Sequence, residues 1–366
     1  MSKTVMTTCI LFVLLCISSL LPYVSATDDS WTSRRSMISK RSDFGVAVVD
    51  SKIFIIGGSR DGVRVNTTEV YDPKTDTWRS KASMPTTRSD FGIAVYDGKI
   101  YAFGGATCDG PAYGGVTLTD VNEVYDPETD TWENRTSLPT PRMSFNAHTV
   151  GDKIFTLSGV EYRAQFLIFG VGVTEVYDPQ TDSWTTKARI PIPVWGYASA
   201  AVGNEIFVIG GVKSKPMGTN IAKLNQVYDL TTNSWSNKSA PIIGLYKSSA
   251  GATTGEFAHV KITVVGGLES LYVPYNDKTQ VYDPTNDTWR WGTSMPTARA
   301  RLGVAVVNDT LYALGGYDNR TYRTENEQYT PADYIPEFPS WIVLPLLVTG
   351  TVIALICKRK IDEHSV

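Results

Sequence analysis

Short apolar runs separated by tight polar turns recur through the chain. In one copy, Asp90-Phe91-Gly92-Ile93-Ala94-Val95 predicts a strand and Lys99-Ile100-Tyr101-Ala102-Phe103 a second, with Asp97-Gly98 as the turn between them. Glu123-Val124-Tyr125-Asp126 predicts a third strand and Thr131-Trp132-Glu133 a fourth, joined through Pro127-Glu128-Thr129-Asp130. A sheet of four such strands cannot bury both of its faces alone, so copies must stack on one another.

The copies are visible as three series that keep phase. Gly-Gly or its equivalent stands at Gly57-Gly58, Gly104-Gly105, Ser158-Gly159, Gly210-Gly211, Gly266-Gly267 and Gly315-Gly316, in steps of 47, 54, 52, 56 and 49 residues. Val-Tyr-Asp follows at Val70, Val124, Val176, Val227 and Val281, with Gln328-Tyr329-Thr330 as a degenerate last member. Trp recurs at 31, 78, 132, 184, 235 and 289. The last copy has three strands but no Trp strand after Asp333, whereas Ser30-Trp31-Thr32-Ser33 is a Trp strand without the three that should precede it. The N-terminal segment is therefore expected to complete the C-terminal sheet, closing a ring of six and removing the open edge.

Together the Gly-Gly, Tyr and Trp series resembles the kelch repeat family across nearly all of residues 27–333. The resemblance implies an all-β fold, a six-bladed kelch β-propeller of four-stranded blades. Glycine at the end of the second strand is expected to admit a neighbouring Tyr or Trp ring.

Both ends of the chain differ from this pattern. Residues 1–26 carry one early cation, Lys3, an apolar run from Met6 to Leu21 and the small-residue exit Val24-Ser25-Ala26, the pattern of a secretory signal peptide. Residues 334–340 read as a Pro-rich linker. Trp341–Cys357 is uncharged for 17 residues and is followed by Lys358-Arg359-Lys360, which predicts a single transmembrane helix with residues 358–366 as a basic cytoplasmic tail. Ile335-Pro336-Glu337-Phe338-Pro339-Ser340-Trp341 and the apolar run after it resemble the Pro-Glu-Phe sorting tails of archaeal surface proteins. That resemblance implies a tail open to processing, so the mature anchor is either this helix or a lipid. The expected location is the cell surface, with the propeller outside and the membrane reached through the C-terminal anchor.

Composition adds exclusions. Cys108 is the one cysteine left in residues 27–333, so no intrachain disulfide is expected there. A net charge of −3 argues against a general nucleic-acid binder. Asn-x-Ser/Thr sequons at Asn66, Asn134, Asn237, Asn286, Asn308 and Asn319 make glycosylation of an external domain an expectation.

Alternating strand direction puts the connections after strands two and four of each blade on one face. These are long and unlike one another: Ala106 to Asp120 with Tyr113, Val160 to Thr174 with Tyr162, Arg163, Phe166 and Phe169, Val212 to Leu224, and Leu268 to Lys278 with Tyr272 and Tyr275. Variable loops on a rigid scaffold are where recognition usually lies, so this face is the expected binding site. The links into strand one carry Arg41, Arg88, Arg142 and Arg299, which either ring the channel mouth to meet an anionic ligand or tie blades together. The fourth and fifth blades offer Val194-Trp195 and Leu245-Tyr246 there instead, giving a mouth cationic on one side and aromatic on the other. Arg163, Trp195 and Tyr246 join the four arginines as candidate ligand-binding residues.

No catalytic residue, metal ligand or cofactor is assigned. Copper oxidase chemistry needs two imidazoles and a Tyr crosslinked to Cys, and residues 27–333 hold only His148, His259 and Cys108. Neither histidine has a sequence-evident partner for nucleophilic catalysis. The expected function is recognition or adhesion by a monomeric propeller, with an extracellular protein or glycan as partner. A sugar mutarotase or epimerase using Glu161, Arg163 or Glu269, and a structural part of a surface layer, are the alternatives.

Overall fold

The computed structural model describes residues 29–107, 116–163, 167–213, 220–270 and 275–335. One compact unit runs from Asp28 to Ala332, and the signal, anchor and tail expected at the two ends lie outside the described residues, apart from the start of the linker. Among the described residues no helix is long and apolar enough to cross a membrane.

Six four-stranded antiparallel sheets account for most of the described chain. Blade 1 is Gly45–Val49, Lys52–Ile56, Thr68–Asp72 and Thr77–Lys81. Blades 2 to 5 repeat that order from Gly92, Asn146, Ala198 and Ser249. Blade 6 joins Gly303–Val307, Thr310–Leu314 and Asn326–Thr330 to Ser30–Arg34, and Trp31 faces Tyr329 in the register by which Trp78 faces Tyr71. The two-residue turn at Asp97-Gly98 has φ of 49° and 70°, the primed geometry that suits strand twist. The strand expected from Asp90 starts at Gly92 instead, because Asp90 itself is left-handed, with φ of 58°.

Two hydrogen-bond circuits join the blades. The inner one is made by backbone alone at the residue two before each first strand: Asp43 N donates to Arg301 O (3.1 Å), Arg301 N to Lys247 O (2.8 Å), Lys247 N to Gly196 O (2.7 Å), Gly196 N to Ser144 O (3.0 Å), Ser144 N to Asp90 O (2.8 Å) and Asp90 N to Asp43 O (2.9 Å). The outer one is made by indoles: Trp78 Nε1 donates to Arg35 O, Trp132 to Ala82 O, Trp184 to Thr136 O, Trp235 to Ala188 O, Trp289 to Ser239 O and Trp31 to Thr293 O, all within 2.8–3.0 Å. Each Trp also packs on the Tyr of its own blade, with ring centroids 4.8–5.2 Å apart.

The glycine pair works differently from the expectation. A Cβ on Gly57 would meet Arg88 O at 2.8 Å and the Phe91 ring, and one on Gly58 would meet Phe44 and Ser42 O at 2.7 Å. What glycine admits is the link backbone and a Phe beside it, while Tyr and Trp stack at the outer strands. With φ of 61° and 99° the pair also needs left-handed backbone.

Candidate ligand-binding face

The links into strand one and the connections after strand two meet on one face. Ser42 bridges Ser59, Ser89 bridges Ala106, Met143 bridges Val160, Tyr246 bridges Leu268 and Ala300 bridges Tyr317, and Trp195 pairs with Val212. Above these bridges short ribbons rise, including Ser59–Arg60 with Val63–Arg64 and Val160–Arg163 with Leu167–Gly170. Arg163 lies on the second of these, opposite Leu167.

The four arginines do not line the mouth. Arg41, Arg88, Arg142 and Arg299 are fully buried, each paired with the Glu in the second position of its blade's third strand: Arg41 with Glu69, Arg88 with Glu123 (2.8 Å), Arg142 with Glu175 (2.5 Å) and Arg299 with Glu327 (2.6 Å). Arg88 also donates to the carbonyls of Ala102, Gly104 and Val121, so one guanidinium ties the incoming link to strands two and three. Burial brings this guanidinium down to about 10 in spite of Glu123 beside it. These side chains are struts, which corrects their place among the ligand-binding candidates.

Val194 and Leu245 hold the arginine position in blades 4 and 5, so Trp195 and Tyr246 stand one step further along, in line with Ser42, Ser89, Met143 and Ala300. They pack edge to face, 5.0 Å apart, in an apolar layer with Val160, Val212, Leu268 and Ala300. Trp195 is 9% exposed and Tyr246 5% exposed, so their ring faces serve the layer and only their edges reach the surface.

The charged mouth is built instead by the inner backbone circuit. All six of its residues have φ between 52° and 59°, which turns their side chains together at the axis. Lys247 Nζ donates to Asp43 (2.7 Å) and to Asp90, with Ser144 Oγ at 3.4 Å, and Arg301 donates to Asp43 at 3.0 Å. Burial alone would raise the Asp43 carboxyl, but the charges of Arg301 and Lys247 outweigh it and hold it far below the usual carboxylate range. Burial would likewise lower Lys247, yet Asp43 and Asp90 raise it. Gly196 completes the circuit without a side chain, and a Cβ there would strike the Tyr246 ring at 2.5 Å. Recurring Ser-Asp-Phe-Gly at Ser42 and Ser89 was the available sequence signal for this cluster.

Below the mouth a cavity of about 270 Å³ is walled by the first strands, with Val46, Ile93 and Val304 on one side and His148 and Ser199 on the other. His148 Nε2 and Ser199 Oγ are 2.7 Å apart, a partner that sequence did not reveal. Burial pushes the imidazole down to about 4, too weak a base to activate a hydroxyl at neutral pH. Glu269 accepts a hydrogen bond from Asn276 (2.7 Å) and is exposed. Among the described residues no three His, Cys, Asp or Glu side chains are grouped to hold a metal.

Of the sequons, Asn134, Asn237, Asn286, Asn308 and Asn319 are exposed, whereas Asn66 is half-buried and its amide donates to Met84 O (2.8 Å).

Comparison with known proteins agrees with this layout. Kelch motif families match residues 40–85, 196–240 and 298–333, and residues 87–139. The chain carries kelch repeats. Its kelch region is 32% identical to Kelch-like protein terF of Aspergillus terreus over 46% of this chain and 38% of that protein. It is 28% identical to human Kelch-like protein 15 over 52% of this chain and 33% of that one, and 28% identical to alpha-scruin of Limulus polyphemus over 63% and 25%. The match spans well under half the length of each of these curated relatives. Among solved structures, the structure of YjhT superimposes with a TM-score of 0.68 over 81% of this chain and 96% of its own, at 16% identity, a likeness of fold.

Proposed function

We propose that this kelch chain is a recognition propeller of six blades closed by its N-terminal strand, displayed at the cell surface on a C-terminal anchor. It binds an extracellular protein or glycan through the face that carries the long connections. The supporting observation is the contrast between faces. The turns after strand three are near copies, each with an Asp accepting from the turn backbone, as at Asp126 and Asp178. The opposite face combines unlike ribbons, an aromatic layer and a paired-charge hub. Of the exposed sequons, Asn286 and Asn308 lie in the turns after strands three and one, on the face opposite the long connections.

The test is a screen of the full chain on arrays of extracellular proteins and glycans, beside the loop-face variant Tyr246→Phe/Arg301→Gln, which keeps the ring packing, and the turn-face variant Lys99→Ala. A hit lost only in the first variant, with thermal stability kept, supports the reading. Hits that ignore the loop-face change, or vanish equally with Lys99→Ala, move the weight to a structural surface role.

A further inference from the structure

Six of the eight tryptophans in the described chain spend their indole N–H on a neighbouring blade, whereas Trp195 does not. Its Nε1 has no hydrogen-bond partner among the described residues although the side chain is nine-tenths buried, and the Tyr246 hydroxyl beside it is equally unpartnered. Neither atom is sealed in the interior, since neither is among the fully enclosed polar atoms left without a bond. Water therefore completes these bonds in the free protein, and a ligand with acceptor oxygens can displace it and take both donors at an otherwise buried aromatic edge.

The surroundings define what that something is. Tyr275 packs against the same layer, and its ring lies 5.9 Å from that of Tyr317; both are half-buried, with hydroxyls that bond to no group among the described residues. The Arg301 guanidinium stands within electrostatic reach of Tyr246 and Tyr275, with its side chain 37% exposed and one nitrogen on Asp43. The inventory is several hydrogen-bond donors on aromatic edges, the enclosed Lys247 ammonium already spent on Asp43 and Asp90, and one part-exposed cation half neutralised by Asp43. An acidic peptide would call for several free cations. A ligand rich in acceptor oxygens, with apolar ring faces and a single negative charge per unit, matches the set.

We propose that the Trp195–Tyr246 edge, with Tyr275 and Arg301, is a subsite for a carboxylated sugar, a uronate unit of an acidic glycan, with the carboxylate on Arg301 and ring hydroxyls accepting from Trp195 and Tyr246. This rests on the loop face being the recognition face.

The test is a titration of the full chain with a short oligogalacturonate, with its methyl ester and with an oligoglutamate peptide, followed through the Trp195 indole resonance in an ¹⁵N spectrum. The acid oligosaccharide should shift that resonance and bind more tightly than its ester. Tyr246→Phe and Trp195→Phe, each removing one donor, should weaken it about two- to tenfold. Arg301→Gln should reduce acid binding to the level of the ester, and Arg301→Lys should keep the preference. The other bonded indoles report that each variant remains folded. No shift of Trp195 with the acid, or equal binding of acid and ester, overturns the assignment. Oligoglutamate binding that responds to Trp195→Phe overturns the sugar while leaving the loop face as the recognition surface.

Discussion

Blades 1, 2, 3 and 6 hold the incoming link with a buried Arg–Glu pair, and blades 4 and 5 hold it with no charge at all. In blade 4, Val194 replaces the arginine and Gln226 the glutamate; in blade 5 the pair is Leu245 and Gln280. Gln226 accepts from Ile192 N (3.0 Å) and donates to Ile192 O (2.9 Å), and Gln280 does the same with Ile243. Glu123 in blade 2 accepts from Thr86 N (3.0 Å) at the corresponding place but needs Arg88 to neutralise it. The two solutions place the link equally well, so the fold requires a satisfied strut, not a charged one. Charge matters only as a matched pair: a buried ion pair is hard to break from one side, yet often replaceable as a whole.

The largest effect should follow from breaking one pair. Arg88→Ala leaves Glu123 buried without its partner and frees three carbonyls, and urea denaturation should show a loss of about 3–5 kcal/mol. A loss under about 1 kcal/mol would mean that water reaches the strut and that the two kinds of blade differ little. Next in size is the reverse error, Gln226→Glu in blade 4. It places a carboxylate beside Val194 with no cation, and should cost about 2–3 kcal/mol at pH 8. Because burial raises that carboxyl, the deficit belongs to the charged form and should shrink as pH falls through its raised pKa. A deficit independent of pH would point to packing instead.

The boundary between the two kinds of blade carries its own titration. His148 of blade 3 bonds Ser199 of blade 4, and burial sets its imidazole at about 4 against an ordinary 6.5. The folded state therefore binds fewer protons than the unfolded one between these values. Its contribution is intact above pH 6.5 and is lost as pH drops toward 4. The full shift corresponds to about 3 kcal/mol, and the ring's position on the cavity wall reduces the expected loss to about 2 kcal/mol. His148→Gln should flatten that part of the stability–pH curve, leaving the carboxylate titrations below it.

Much of this was legible beforehand, and the rest fails for identifiable reasons. Gly57-Gly58, Val70-Tyr71-Asp72 and Trp78 announce a blade because each has one local job, a left-handed corner or an outer ring stack, that every copy repeats. Trp31 could be assigned to blade 6 because the last copy lacks its fourth strand. The arginines were left between mouth and strut since a link's chain position says nothing of where a long side chain turns, and Arg88 turns inward to Glu123. Yet the sequence held the clue: wherever Glu precedes Val-Tyr or Gln-Tyr the link has Arg, and wherever Gln stands there it has Val or Leu. The Asp43–Lys247–Asp90 cluster was only partly signalled: Ser-Asp-Phe-Gly recurs around both aspartates, but nothing around Lys247 marks it as their partner. Its members are up to 204 residues apart and meet only because the ring brings six left-handed residues to one axis.

The smallest effect, and the sharpest test of the comparison, is to convert one kind of blade into the other. Arg88→Leu/Glu123→Gln gives blade 2 the residues of blade 5. Replacing both partners removes the two charges together, so no buried ion is left alone, and the new amide can bond Thr86 N and O as Gln280 bonds Ile243. The carbonyls of Ala102, Gly104 and Val121 lose their guanidinium, a cost set against release from desolvating two ions. The double variant should stay within about 1 kcal/mol of the parent, although Arg88→Ala alone loses several. If instead the double variant falls as far as the single one, the guanidinium's bonds to the three carbonyls, and not its neutralisation of Glu123, are what blade 2 needs. Blades 4 and 5 must then meet that need through some difference in their own backbone.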